Sequence, residues 1–317
     1  MRVGSLLLEL TQRCDRACAH CYNVWRSDAR YPRHELSRSE LRGWADRALD
    51  VFSPRTVTLI GGEPLLCEGA LELVGHVSGR GVAVGLSTHG GLMDRAGARG
   101  LARAGLRAAE VSLCAERADQ DAAVSAGLET IALLQAEGIH CTASFVLARP
   151  FLARLGEGIR AAVAVGAAGI AVHPLLEPFP GALPAELVPA ADEIVEAIAG
   201  LAEQSARWGI PILFSYPIGD GRVPGGAEAM FRAACACDDS RAVVDPLGNV
   251  RRCEADPQVV GNVFRDEPIA IARSNRAPAA CAECEVRSCR RPCRFLARGI
   301  ESWSAAAPGG GCRVVDS

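Results

Sequence analysis

Between residues 5 and 207, short apolar runs alternate with helix-like segments, and this order leaves few folds open. Runs at 5–10, 57–60, 82–86, 109–113, 141–147 and 170–172 are too short for helices and too apolar for loops, so they read as buried strands. Helical stretches follow over 68–77, 94–104, 118–137, 152–165 and 191–207. Another opens at Ser37-Arg38-Ser39-Glu40, a capping box, and runs to about Val51. Strands separated by helices pair in parallel, because each crossover returns the chain to the same end of the sheet. Such units form a full or partial barrel or a doubly wound sheet. In both, the chemistry sits at the C-terminal ends of the strands.

Cysteine is the residue type that departs from an ordinary globular chain. There are 14 in 317 residues, and they are clustered: Cys14, Cys18 and Cys21 follow the first strand, and eight more fall between Cys235 and Cys312. The intervening stretch 216–234 is rich in proline and glycine and reads as a linker between a core of residues 1–215 and a cysteine-rich unit of 235–317. No apolar run approaches the 18 or more residues of a membrane span, and the N-terminus lacks the pattern of an export signal. The expectation is therefore a reducing, cytoplasmic setting, where clustered thiols are metal ligands or catalysts. A net charge of −3 gives no basis for a nucleic-acid partner or a membrane surface. All 34 basic residues are arginines, which excludes Schiff-base lysines and phosphate-loop lysines.

Cys14-x3-Cys18-x2-Cys21 offers three thiolates from one short loop. Taken alone, this spacing suits either a zinc site completed by His20 or a distant residue, or an iron–sulfur cluster with one iron left open. Gly61-Gly62-Glu63-Pro64 ends the second expected strand, where glycines allow close backbone approach to a ligand. Both motifs together, in this order and strand context, with Tyr22 after the third cysteine, resemble the radical S-adenosylmethionine (radical SAM) superfamily. The likeness extends over residues 3–215. Ser87-Thr88-His89-Gly90 stands where the family usually has Thr-Asn-Gly, and Ser112-Leu113-Cys114 where many members have Ser-Leu-Asp.

The resemblance implies an α/β fold, a partial (β/α)6 TIM-like barrel followed by a small cysteine-rich auxiliary iron–sulfur domain. It implies that Cys14, Cys18 and Cys21 hold a 4Fe-4S cluster whose open iron binds SAM, and that Gly61, Gly62, Glu63 and Ser112 contact the SAM. Reductive cleavage of SAM would yield a 5′-deoxyadenosyl radical that abstracts a substrate hydrogen, with electrons from a partner such as flavodoxin or ferredoxin. The C-terminal cysteines are similar to the SPASM extension, which binds two auxiliary 4Fe-4S clusters. By order, Cys235, Cys237, Cys253 and Cys293 would bind the first, and Cys281, Cys284, Cys289 and Cys312 the second. Four residues separate Cys284 from Cys289, against the usual five. One or two zinc knuckles, or one auxiliary cluster, are the alternatives.

Eleven ligands leave Cys67, Cys114 and Cys141. The first and last read as small buried hydrophobes. Cys114 ends the fourth strand and is a candidate hydrogen-atom donor, and Glu254, directly after Cys253, is a candidate general base. His173 closes the sixth strand without an assigned role. The resulting expectation is an enzyme that matures a ribosomally made peptide by cross-linking, thioether formation or oxidation, with a separate recognition protein presenting the precursor. The alternatives are a small-molecule dehydrogenase or epimerase of an aminocyclitol or sugar in antibiotic biosynthesis, and a zinc-stabilised binding module.

Overall fold

The computed structural model describes residues 2–114, 120–215, 227, 230 and 241–274. Their strands form one sheet. β1 (Ser5–Glu9), β2 (Thr56–Ile60), β3 (Ala83–Thr88), β4 (Leu106–Ser112), β5 (His140–Leu147), β6 (Gly169–Pro174) and β7 (Ile212–Phe214) lie side by side in chain order, each parallel to the next. On the other flank of β1, β8 (Arg241–Val244) adds in parallel, and β9 (Asn249–Arg251) and β10 (Gly261–Asn262) follow antiparallel.

The expected strands are therefore present, and β7 and β8 extend the parallel set. β7 escaped the sequence reading because only three residues, close after a proline, form it. β8 and β9 are the two arms of a hairpin around 245–248, where the Asp245 carboxylate accepts the N–H groups of Leu247 and Asn249 at 2.9 Å each. Gly248 takes φ +80°, a left-handed conformation that favours glycine.

The helices are α1 (Val24–Ser27), α2 (Arg38–Phe52), α3 (Ala70–Gly79), α4 (Arg95–Ala104), α5 (Gln120–Ala136), α6 (Arg149–Leu152), α7 (Leu155–Ala164), α8 (Ala191–Trp208) and α9 (Pro268–Ser274). At the start of α2 the Ser37 backbone N–H donates to Glu40 Oε2 at 2.8 Å, one arm of the expected capping box. Leu41, Trp44, Leu49 and Phe52 bury the inner face of α2, each aliphatic or phenyl side chain contributing about 1.5–3 kcal/mol. Trp44 Nε1 donates to the Asp245 carbonyl at 2.9 Å, so the same helix also braces the β8–β9 hairpin.

The period of two along each strand separates two environments. Leu6 and Leu8, Val57 and Leu59, Val84 and Leu86, Ala109 and Val111, and Ile170 and Val172 join the main apolar core beneath the helices. The alternate positions, among them Thr58, Ser87, Glu110, Ser112, Ser144 and His173, line a cavity of about 310 Å³. Ser5 of β1, His173 of β6 and Glu254 beyond β9 all face that cavity, so the sheet curls around it as a partial barrel. No helix among the described residues is long and apolar enough to cross a membrane.

Candidate functional site

The mouth of the barrel carries the three N-terminal cysteines. β1 ends at Glu9, the chain turns through residues 10–13, and Cys14, Cys18 and Cys21, all half-buried, line the cavity. The Cys21 N–H donates to the Cys18 carbonyl at 3.3 Å, closing a turn that points the thiols inward together. Burial pushes the Cys14 and Cys21 thiols above their ordinary value, with Asp15 adding to the effect at Cys14. A metal centre there must displace those protons as it binds.

The glycine motif shapes the loop more than it faces a ligand. The Gly62 N–H donates to the Thr11 carbonyl and the Glu63 N–H to the Arg13 carbonyl, both at 2.8 Å. A β-carbon on Gly62 would lie 2.0 Å from the Arg13 oxygen, and one on Gly61, at φ +138°, would lie 2.4 Å from the Thr11 oxygen. Only glycine lets the end of β2 press this closely on the chain entering the cysteine loop. Asn23 Nδ2 adds a bond to the Gly61 carbonyl at 2.9 Å.

Glu63 is 1% exposed and its carboxylate turns toward β3 rather than into the cavity. It accepts from Thr88 Oγ1 at 2.7 Å, the His89 N–H at 2.9 Å and the Leu65 N–H at 3.2 Å. The His89 ring extends the link: Gly91 N–H donates to Nδ1 at 3.0 Å, so the neutral ring carries its proton on Nε2. That nitrogen lies 2.7 Å from Asp15 Oδ1 and 3.2 Å from Glu63 Oε2. Ligand atoms of Cys14, Asp15 and His89 come within 4.8 Å of one another, and the hydrogen bond between Asp15 and His89 accounts for two of the three. Gly61, Gly62 and Glu63 thus tie β1, β2 and β3 to the cysteine loop.

Deeper in the lumen, Ser112 lines the wall, and the buried Cys114 Sγ accepts the Val146 N–H at 2.9 Å. Cys67 and Cys141 are buried elsewhere, and burial raises their thiols to about 11 and about 12. His173 Nε2 meets Glu110 Oε1 at 3.0 Å, and Arg241 Nη1 meets both Glu254 oxygens at 3.1 and 3.2 Å. His173 and Glu110 keep 21% and 36% of their side-chain surface accessible; both line the cavity, so that surface faces the lumen. Burial alone would lower the His173 pKa, but the Glu110 carboxylate beside it raises it. Burial would likewise raise Glu110, and the imidazole lowers it instead. Tyr22 sits against the same groups, its phenol pushed up by burial and by Glu254.

The loop bearing Cys253 and Glu254 is held from inside. The buried Arg251 pairs with the buried Glu9, and its Nη1 donates to the carbonyls of Glu254 at 2.9 Å and Asp256 at 3.2 Å. Glu9 ends the strand before the cysteine loop, so a single ion pair joins both cysteine-bearing segments. Cys253 is 1% exposed. Cys235, Cys237, Cys281, Cys284, Cys289, Cys293 and Cys312 lie outside the described residues. Glu110, Arg241, Glu9 and Arg251 were missed by the sequence reading, although a charge inside an otherwise apolar strand, as in 5–10 and 106–112, was the available signal.

Residues 8–147 match the Radical SAM superfamily. The chain carries a radical SAM domain. The chain is 31% identical over 144 residues to the Fe-coproporphyrin III synthase of Methanosarcina barkeri, covering 44% of this chain and 35% of that one. It is 30% identical over 182 residues to the PqqA peptide cyclase of Streptomyces rochei, covering 52% and 46%. It thus spans less than half the length of either relative. The mycofactocin maturase MftC of Mycobacterium tuberculosis is 26% identical over 314 residues, covering 91% of this chain and 77% of its own. Among solved structures, anSMEcpe with bound AdoMet and the Cp18Cys peptide superposes at TM-score 0.67, with 15% identity over 95% of this chain and 94% of that one. The radical SAM domain's barrel fold is shared with it.

Proposed function

We propose that the chain is a radical SAM enzyme that matures a ribosomally made peptide. The observation that carries this reading is that three half-buried thiols, the close-packed Gly61-Gly62 corner, Ser112 and Glu254 face one cavity at the C-terminal strand ends. Three thiols from one loop beside such a cavity suit a 4Fe-4S cluster with an open iron. Cys14, Cys18 and Cys21 would hold it, and Gly61, Gly62 and Ser112 would lie against the SAM. Bound there, the cluster and SAM supply a 5′-deoxyadenosyl radical that takes a hydrogen atom from an unactivated C–H bond.

The chain's own residues supply position and proton transfer. Glu63 fixes the loop from behind, leaving the cavity face to backbone and to Ser112. Glu254 accepts the substrate proton at a carboxylate oxygen, with Arg241 fixing the direction of the lone pairs. Cys253 would join Cys235, Cys237 and Cys293 around one auxiliary cluster, and Cys281, Cys284, Cys289 and Cys312 would hold a second, in a segment 235–317 whose strands β8, β9 and β10 continue the core sheet. Such thiolate centres call for a reducing, cytoplasmic setting and a partner such as flavodoxin or ferredoxin.

The relatives that cyclise the PqqA peptide and mature mycofactocin, and the neighbour with a bound peptide, support a peptide substrate. The Fe-coproporphyrin III synthase relative supports a small-molecule substrate, and the second reading is a dehydrogenase or epimerase of an aminocyclitol or sugar. There Cys114, on the cavity wall, would return a hydrogen atom to the substrate radical, and full product formation by Cys114→Ala would dismiss that role. Anaerobic reconstitution tests the main reading: about twelve irons, as three 4Fe-4S clusters require, should accompany 5′-deoxyadenosine formation. A colourless zinc protein would overturn it.

A further inference from the structure

The segment that carries the three cysteines is cationic in a chain that is not. Residues 13–35 hold Arg13, Arg16, Arg26, Arg30 and Arg33 against Asp15, Asp28 and Glu35, a net +2 in a chain of net −3. Three of these arginines are held by neutral acceptors. Arg16 donates to the His89 carbonyl at 3.3 Å, Arg26 to the Arg16 carbonyl at 2.8 Å and Arg33 to the Trp25 carbonyl at 3.0 Å. A carbonyl fixes a guanidinium without cancelling its charge, and none of the three forms an ion pair among the described residues. Arg13 and Arg30 do meet carboxylates, Glu35 at 3.2 Å and Asp28 at 3.0 Å, but as surface pairs that solvent weakens.

The cysteine loop itself is open to the outside. Cys14, Arg16, Cys18 and His20 are half-buried and line the cavity, while Asp15, Ala17 and Ala19 between them are exposed. One layer of backbone therefore separates the thiols from solvent, and two alanines leave no long side chain to hold a partner away. Asp15, the acid on this face, is tied to His89 at 2.7 Å. Arg13 stands at one end of the loop. At the other end α1 follows, and the exposed Arg30 and Arg33 come after it, Arg33 over the Trp25 ring at 5.9 Å. A cationic rim around a thin wall draws a protein with an acidic surface and orients it on that wall.

We propose that the outer face of the Cys14–Cys21 loop, rimmed by Arg13, Arg30 and Arg33, is the docking surface for an acidic one-electron carrier protein. This rests on the radical SAM reading above and adds the direction of approach: the reductant meets the loop from outside, leaving the cavity to SAM and substrate. One electron leaves the carrier's anionic flavin hydroquinone, which becomes the neutral flavin radical, and reduces the oxidised cluster; no proton has to move.

The test uses the full chain, reconstituted anaerobically. The reductants are an acidic flavodoxin in its hydroquinone form and photoreduced 5-deazariboflavin, which needs no docking surface. Rapid-freeze EPR follows the reduced cluster at about 0.01 M and about 1 M salt, between which the screening length falls from about 30 Å to about 3 Å. At low salt Arg30→Glu with Arg33→Glu should slow reduction by the flavodoxin about tenfold, the low end of electrostatic steering. The gap should close at high salt, and the deazariboflavin rate should not change. Arg30→Lys with Arg33→Lys, which keeps both charges, should keep the native rate. Arg103→Glu with Arg107→Glu makes the same charge change at exposed positions beside the start of β4, the opposite end of the barrel, and should slow the flavodoxin far less. A flavodoxin rate untouched by Arg30→Glu with Arg33→Glu, an equal loss in the Arg103, Arg107 variant, or an equal loss with deazariboflavin overturns the proposal. So does a native cluster that deazariboflavin reduces and the flavodoxin does not. A chain that takes up no iron overturns the radical SAM reading and the proposal together; a cluster that the flavodoxin reduces but that leaves SAM intact overturns the reading alone.

Discussion

Removing the Glu63 carboxylate should destabilise the chain well beyond a surface change, and should do so by releasing the cysteine loop. Glu63→Ala leaves the Thr88 hydroxyl, the His89 amide and the Leu65 amide without the acceptor they meet at 2.7, 2.9 and 3.2 Å. Each unmet buried donor costs about 1–3 kcal/mol, but neighbours in one network are not additive. A loss of about 3–5 kcal/mol, the range for breaking a buried charged network, is therefore expected. Glu63→Gln is the milder change. Its carbonyl can take the two His89 donors, while its NH2 faces the Leu65 amide and the Thr88 hydroxyl turns to accept. About 1–2 kcal/mol should be lost. Thermal unfolding of the reduced apo chain measures both, at roughly 2–4 °C for each kcal/mol in a chain of this order of size. His89 also holds Asp15 at 2.7 Å. Iron uptake during reconstitution should therefore fall in the alanine variant before global unfolding does. An alanine variant as stable as the glutamine one, with full iron uptake, would refute the reasoning.

Gly62→Ala should fold poorly around the mouth of the barrel and take up little iron, since its β-carbon would lie 2.0 Å from the Arg13 oxygen; near-normal iron content would contradict the packing argument. Arg251→Met should cost about 3–5 kcal/mol in urea unfolding by leaving Glu9 buried and alone, while adding Glu9→Met should recover most of the loss, because an apolar pair replaces the ion pair. The Glu110–His173 pair predicts a pH window. The raised His173 pKa contributes stability that is complete below its ordinary 6.5 and is lost as pH rises through the raised value; the lowered Glu110 pKa contributes stability above its ordinary 4.5 that is lost as pH falls through the lowered one. The stability gap between the native chain and the Glu110→Leu, His173→Leu variant should therefore be widest between pH 4.5 and 6.5. A gap independent of pH would contradict the pairing.

Much of the barrel was legible because its signals are local. Apolar runs at strand length, a capping box at Ser37 and motifs directly after the first and second runs locate β1, β2 and α2, and the strand-end rule then locates the site. The parts that escaped depend on partners far apart in the chain. Glu110 in the apolar strand Leu106–Ser112 looks like an exposed position until His173, 63 residues on and two strands along the sheet, turns out to meet it at 3.0 Å. Glu9 reads as the end of an apolar run, and its partner Arg251 comes 242 residues later. Glu63 was legible as a motif residue, but its direction was not. The side chain turns to Thr88 and His89, and the sequence carries no register between β2 and β3 that would reveal it. The pairing of β8 with β1 is hidden for the same reason.

Cys14, Cys18 and Cys21 are proposed to hold the cluster that reductively cleaves SAM in the cavity beneath them. The direct measurement is 5′-deoxyadenosine formation by the full chain, reconstituted anaerobically with iron and sulfide and given SAM and dithionite. Spectroscopy follows the state of the cluster in the same sample. The native chain should give 5′-deoxyadenosine and methionine in equal amounts, and Cys14→Ala, Cys18→Ala or Cys21→Ala should give none. A fully reduced 4Fe-4S cluster that leaves SAM intact, or a triple-alanine variant that still cleaves it, would rule out this role for the three cysteines.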